Sequence, residues 1–162
     1  MIATAELAHR ARRAPEFGIT LGPDVSVDVS AVVERKDGIV DAIRSGSYRS
    51  VDRADDLDLI EGHGVFVGPR RLRVGDAELE AGRIFLNTGT RDAQSAIEGL
   101  DRVPYLTSRS MLELRELPGH LVVVGGGFIG CEFAQMFRRF GAQVTVIQRA
   151  DRLIRSTAPT TC

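Results

Sequence analysis

The sequence predicts an α/β fold built around a parallel βαβ unit, and three observations carry that expectation. Gly125-Gly126-Gly127-Phe128-Ile129-Gly130 has the spacing G-x-G-x-x-G. Four apolar residues, Leu121 to Val124, lead into it, and a helical apolar period from about Phe128 to Phe140 leads out of it. A second short apolar run, Gln143 to Ile147, follows the break at Gly141. A strand before the glycines and a helix after them turn a weak pattern into a dinucleotide-binding turn. Gly125 allows the tight turn, Gly127 lets a pyrophosphate approach the backbone, and Gly130 lets the helix pack close to the strand. Free N–H groups and the positive end of the helix dipole then face the anion. The plain alternative is a glycine-rich αβ connection that binds nothing.

The elements before this unit follow from local pattern. Residues 2 to 14 are Ala-rich with Leu7, Ala8 and Ala11 on one face, and they predict a helix that stops before Pro15, which disfavours helical geometry at Ala14. Gly18, Gly22 and Pro23 make the break that follows. Val29, Val32, Val33, Val40 and Ile43 predict a second helix from about Val29 to Ile43, with Asp28 or Ser30 as N-cap and Ser45-Gly46-Ser47 as its end. From Leu57 the period changes to two. Short runs at Leu57–Ile60, Val65–Val67, Leu72–Val74 and Ala77–Leu79, punctuated by Gly68-Pro69 and Gly75-Asp76, predict an antiparallel meander. Arg83–Leu86 then reads as a more buried strand that delivers the chain into Asn87-Thr88-Gly89-Thr90-Arg91. A polar connection with a short helix near Ser110 to Glu116 precedes Leu121.

Length and composition bound the function. A chain of 162 residues suits one domain of ordinary size and buries about two thirds of its unfolded surface. The formal charge of −1, from 21 basic and 22 acidic side chains, gives no global field for nucleic acid or an anionic membrane. Arg10, Arg12 and Arg13, like Arg70, Arg71 and Arg73, read as solvated faces. Cys131 and Cys162 make neither a disulfide framework nor metal-ligand spacing, and a reducing cytoplasm fits them. Glu6, His9 and Arg10 interrupt the N-terminus where a signal peptide needs an apolar stretch, and no segment approaches transmembrane length.

Two features of organisation are unusual. The first half reaches its meander without a preceding strand and phosphate loop, so its sheet lacks a centre. A lone βαβ also cannot cover both faces of its parallel sheet, and Ser156 to Cys162 carry no apolar period. Both ends therefore read as cut, with further sequence expected on either side.

The chain resembles the FAD-dependent pyridine nucleotide-disulfide oxidoreductases, in particular their mercuric reductase and dihydrolipoamide dehydrogenase branches. The resemblance covers roughly residues 2 to 154. It is carried by Leu121-Val-Val-Val-Gly-Gly-Gly-Phe-Ile-Gly-Cys-Glu-Phe-Ala134, by Gly141 to Ile147, by Thr88 to Arg91, and by Gly99-Leu100 before Pro104-Tyr105-Leu106-Thr107. It implies an incomplete two-domain Rossmann-like fold of three-layer ββα type: residues 1–112 as the remainder of an FAD-binding domain and 113–162 as the first βαβ of an NAD(P)-binding domain. It also implies a homodimeric parent that passes a hydride from a nicotinamide dinucleotide through FAD to a disulfide or metal-ion substrate. The family's first glycine fingerprint and its Cys-x4-Cys pair would lie before Met1. Its dimerisation domain, with the His motif that acts in trans, would lie after Cys162.

The resemblance assigns roles residue by residue. Gly125, Gly126, Gly127, Phe128, Ile129 and Gly130 would hold the pyrophosphate. Phe128 stands where the family often has a tyrosine over the flavin, although a core aromatic is an equal alternative. Glu132 matches a glutamate that pairs with a lysine just after the cysteine pair, so its partner would lie upstream of Met1; without it, Glu132 needs water or, if buried, a raised pKa. Thr88, Gly89 and Arg91 resemble the Thr-Gly-Ser-Arg turn that approaches the FAD. Cys131 reads as a buried packing residue, and His9, His63 and His120 share no ligand spacing. Gln148-Arg149, with Arg152 and Arg155 following, stand where an NAD site offers Asp or Glu to the ribose, which favours NADP over NAD. No catalytic residue and no metal ligand is assigned. A non-catalytic nucleotide-binding module and a non-functional truncated gene product are the alternatives to the enzyme.

Overall fold

The structure, a computed structural model, describes residues 1–22, 24–92 and 96–154. Pro23, Arg155 and the tail 156–162 with Cys162 lie outside the described residues. The chain forms two compact units, Met1–Ile39 with Ser95–Cys162, and Val40–Gln94. This partition is one of packing and is a separate matter from a division by nucleotide near residue 112.

In the first unit, α1 (Ile2–Arg13) runs into a 3-10 turn at Ala14–Phe17, and Gly18 closes it at φ 74°. The buried stripe of α1 is Ala5 and Ala8, while Leu7 is exposed. Of the expected face Ala8 is buried, but Ala5 joins it in place of Leu7, so the buried stripe is turned by about a quarter turn, because two small side chains, rather than the bulky leucine, let this helix come close to its neighbour. The second helix, α2 (Val29–Asp52), buries Val29, Val32 and Val33, and Asp28 Oδ1 accepts the Ala31 N–H at 3.1 Å as its cap. A single turn, α3 (Ser108–Met111), is held by a capping box between Thr107 and Ser110; the expected helix extended further, to Glu116.

The βαβ unit follows as the glycine pattern requires. Strands β4 (His120–Val124) and β5 (Gln143–Ile147) pair in parallel, Leu121 opposite Val144 and Val123 opposite Val146, with α4 (Phe128–Phe140) between them in sequence. Its bounds match those read from the sequence. Ala134, Met136, Phe137 and Phe140 of α4 are buried, and Phe137 meets Phe140 edge to face at 5.7 Å between centroids. Met136, Phe137 and Phe140 pack with Ala5, Val29, Val32, Val33, Met111 and Ala142 into one core. Burying a side chain such as Phe137 or Val33 contributes about 1.5–3 kcal/mol. Gly141, at φ 124°, ends α4 by donating to the Phe137 and Arg138 carbonyls. The α1 and α4 helices are tied at their surface: Glu6 accepts from Arg139 at 2.7 Å, and Arg12 donates to the Arg139 carbonyl. Leu121 and Val144 turn toward the core, whereas Val122, Val124 and Ile147 stand exposed on the opposite face. One face of the parallel pair is thus open, as a lone βαβ requires.

The second unit holds the rest of α2 and a three-stranded antiparallel meander, β1 (Gly64–Gly68), β2 (Arg71–Val74) and β3 (Ala77–Glu80), in the order β1-β2-β3. Phe66 faces Leu72, Leu72 faces Leu79, and Arg71 and Glu78 form an ion pair across β2 and β3. Three expectations fail here. The α2 helix does not end at Ser45-Gly46-Ser47 but runs to Asp52: Ser47 and Ser50 donate to the Ile43 and Gly46 carbonyls at 3.1 and 3.0 Å, which lets a helix carry serine. A single Gly costs only about 1 kcal/mol in a helix. Leu57–Ile60 forms no strand. Arg83–Leu86 is neither buried nor in a ladder, and Phe85 is 88% exposed; β propensity makes a strand only where a neighbouring edge receives it. Among the described residues no helix is long and apolar enough to cross a membrane.

Candidate functional site

The turn between β4 and α4 is where the sequence placed its chemistry. Gly125 has φ 111°, a conformation that side chains rarely adopt, and its N–H is spent on the Ile147 carbonyl at 2.9 Å, which locks the turn to the end of β5. A Cβ at Gly130 would run into the Gly125 carbonyl oxygen and sit 3.4 Å from Val123 Cγ1, so only glycine lets the first turn of α4 lie on the strand. Gly127 is the opposite case. Its backbone is extended, at φ −76° and ψ −177°, and a Cβ there would meet nothing within 4 Å. Sterically Gly127 could be any residue; glycine keeps the approach to the helix N-terminus clear.

Gly126 is clasped by the chain that follows β5. Its N–H donates to Gln148 Oε1 at 3.0 Å, and its carbonyl accepts the Ile154 N–H at 2.8 Å and the Cys131 thiol at 3.5 Å. The Leu153 side chain covers its α-carbon so closely that a Cβ would collide with Leu153 Cδ2. Ile154 reaches this position at φ 50°, which a β-branched residue seldom takes. Cys131 is half-buried and hydrogen-bonded rather than a fully buried packing residue. With Gly125 and Gly126 engaged, the N–H groups of Gly127, Phe128, Ile129 and Gly130 are those left without a partner among the described residues, and no side chain caps the helix. Four adjacent donors at the positive end of a 13-residue helix suit a diphosphate.

The flanking residues are open. Phe128, 68% exposed, and Ile129 project from the first turn of α4, so Phe128 is not a core aromatic. Glu132, one turn further along, is exposed. Gln148 is half-buried, and Arg149 and Arg152 are exposed. The structure therefore brings Gly125 to Gly130 together with Gln148, and adds Leu153 and Ile154. Sequence reasoning weighed Gln148 only as a ribose contact and missed its bond to Gly126; the apolar pair Leu153-Ile154 directly after four polar or small residues was the one available signal for the return. Thr88, Gly89 and Arg91 lie in the other compact unit as exposed, irregular chain, with Gly89 at φ 71°. His120 Nε2 lies 2.9 Å from Thr145 Oγ1 across the paired strands. Among the described residues, no three His, Cys, Asp or Glu side chains converge as a metal site.

Comparison with known proteins gives one consistent answer. The family model for pyridine nucleotide-disulphide oxidoreductases matches residues 2–161. A mercuric reductase of Bacillus cereus is 35% identical over 161 residues, covering 98% of this chain and 25% of that protein. A dihydrolipoyl dehydrogenase of Halobacterium salinarum is 36% identical over 163 residues, covering 95% of this chain and 33% of that protein. Among solved structures, the HOCl-induced flavoprotein disulfide reductase RclA of Escherichia coli superposes with a TM-score of 0.75 at 32% identity, over 94% of this chain and 33% of that one. The chain thus spans a quarter to a third of the length of these relatives.

Proposed function

The chain belongs to the pyridine nucleotide-disulphide oxidoreductase family, and from that premise we propose that its βαβ unit binds the pyrophosphate of a nicotinamide dinucleotide. It would do so as the NAD(P) part of a flavoprotein that carries a hydride from NAD(P)H through FAD to a disulfide or metal-ion substrate. The observation that carries this is the division of labour among the glycines: Gly125 and Gly130 are required by backbone geometry, while Gly127 leaves open space in front of four free N–H groups. A connection that binds nothing would have no use for the third.

NADP is the preferred dinucleotide. The Gly126 N–H can only donate, so the oxygen of the Gln148 amide faces it and the amide NH2 is left to face outward as a donor. Arg149 and Arg152 are exposed in the same short segment. Donors and positive charge favour a 2′-phosphate, where a carboxylate would take ribose hydroxyls and repel it.

By resemblance, residues 1–112 belong to the FAD part, with Thr88, Gly89 and Arg91 near the flavin, and residues 113–162 to the NAD(P) part. FAD, when bound, supplies the hydride acceptor. The residues present do not by themselves hold it: Thr88–Arg91 are an open turn, and the sequence has a single G-x-G-x-x-G. Cys131 and Cys162 do not have the Cys-x4-Cys spacing that would receive electrons. The 162-residue chain is therefore a nucleotide-binding module without disulfide or mercuric reductase turnover, soluble in a reducing cytoplasm. Titration with NADPH, followed by its fluorescence, tests the binding. A saturable change is expected; its absence refutes the binding, and NADPH-dependent turnover by the purified chain refutes the claim of inactivity.

A further inference from the structure

The segment after β5 turns back onto the glycine turn and holds Gly126 at both of its backbone polar groups. Gln148 Oε1 accepts the Gly126 N–H at 3.0 Å, and the Gly126 carbonyl accepts the Ile154 N–H at 2.8 Å. Leu153 lies so close to the same residue that a Cβ on Gly126 would collide with its Cδ2. Ile154 makes its bond at φ 50°, the one positive φ outside glycine among the described residues. A β-branched residue keeps so costly a backbone only where its surroundings over-determine it. We propose that Leu153 and Ile154 are positioning residues: they set the orientation of the Gly126–Gly127 peptide and, through it, the aim of the N–H groups that take the dinucleotide's pyrophosphate.

The planarity of the peptide carries the effect. The Gly126 carbonyl and the Gly127 N–H belong to one trans amide, so they point in opposite directions. An Ile154 N–H fixed on the carbonyl therefore turns the Gly127 N–H away from the return segment. That N–H is the first of the four unpartnered donors that lead into α4. Glycine flanks this amide on both sides, and two glycines leave its orientation freer than any other pair would. No side chain caps α4, so the restraint on the amide comes from the return. A carbonyl that already accepts a hydrogen bond also polarises its own amide and makes the N–H a better donor. Leu153, packed on Gly126, keeps the return seated for that bond. This role rests on the reading of Gly127 to Gly130 as the pyrophosphate site, and adds what aims the donors.

The test uses the 162-residue chain, titrated with NADPH by fluorescence and then with inorganic pyrophosphate as a displacing ligand. Leu153→Ala is expected to weaken both ligands by the same factor, about five-fold, because affinity falls with the fraction of chains in which the amide is correctly turned. Pyrophosphate reaches no further than the turn, so a loss shared by both ligands reports the donors rather than a contact of Leu153 with the rest of the nucleotide. Leu153 is 51% exposed and lies in no helix or strand, so the melting temperature should stay unchanged. Leu153→Met keeps an apolar side chain of similar volume and should retain affinity within about two-fold. Unaltered affinity in Leu153→Ala, a loss for NADPH alone, a melting temperature that falls with the affinity, or no rescue by methionine each overturns the role while leaving the pyrophosphate site standing. A wild-type chain that binds neither ligand overturns the site, and the role with it.

Discussion

Gly127→Asp separates the fold of the glycine turn from its function. The backbone at 127 is already in the extended region, and the new Cβ would meet nothing within 4 Å, so the fold has no reason to resist. Aspartate is moreover a favoured N-cap, and its carboxylate would accept N–H groups at the start of α4, contributing about a few tenths of a kcal/mol over glycine. Those are the donors assigned to the pyrophosphate. A carboxylate there both occupies them and opposes the ligand's charge: two unit charges about 4 Å apart interact by about 4 kcal/mol at an effective dielectric constant near 20. Allowing for salt, half of that remains a loss of about thirty-fold in affinity. Isothermal titration with NADPH measures the affinity, and thermal unfolding followed by circular dichroism measures the fold. Unchanged or raised stability with binding lost is the expected pair of results. An unaltered affinity would place the nucleotide elsewhere, and a fall in melting temperature would mean that Gly127, like Gly130, serves packing.

Gly130→Val is expected to do the reverse, driving a side chain into the Gly125 carbonyl; overpacking of this kind costs about 1–3 kcal/mol, read as a melting temperature lower by roughly 3–10 °C. Gln148→Glu keeps an oxygen for the Gly126 N–H but turns a carboxylate toward the ribose, so NADPH affinity should fall about ten-fold while NADH affinity holds or rises, as competition titrations would resolve. The Arg10 guanidinium, with Arg139 beside it, holds the Glu6 carboxyl below its ordinary value of 4.5. In the unfolded chain that carboxyl binds its proton more readily, so the stability this group contributes is present above about pH 4.5 and is lost as the pH falls below it. Glu6→Gln should therefore flatten the acid side of the stability profile measured by urea unfolding, leaving the profile near neutral pH with the same slope.

Legibility in the sequence followed the range of the forces involved. The bounds of α4 and β5 could be read to the residue because each is fixed by neighbours in sequence: the glycine turn before, Gly141 between, and an apolar period along the helix. The meander was legible for the same reason, since Gly68-Pro69 and Gly75-Asp76 set its turns. Apart from the end of α2, which local serine bonds carry past Ser45-Gly46-Ser47, the errors lie where a distant partner decides. The face of α1 is chosen by how closely α4 approaches, which favours Ala5 and Ala8 over Leu7. The clasp on Gly126 joins residues more than twenty positions apart, and the apolar pair Leu153-Ile154 is the one local sign that the chain turns back.

The failed strand at Arg83–Leu86 and the open face of β4 and β5 have one physical cause. A helix satisfies its backbone internally, so α1, α2 and α4 form wherever their periods allow and then pack by their apolar sides. A strand satisfies its backbone only through neighbours. His120–Val124 has one in Gln143–Ile147, placed beside it by a helix of the right length, and a ladder forms although Val122, Val124 and Ile147 gain no cover. Arg83–Leu86 has none among the described residues, and its β-forming side chains stay in water. Composition therefore chose the type of each segment, while the supply of a second edge chose whether it became a sheet. Supplying that edge to residues 83–86, rather than any change of their sequence, is what would convert them into a strand.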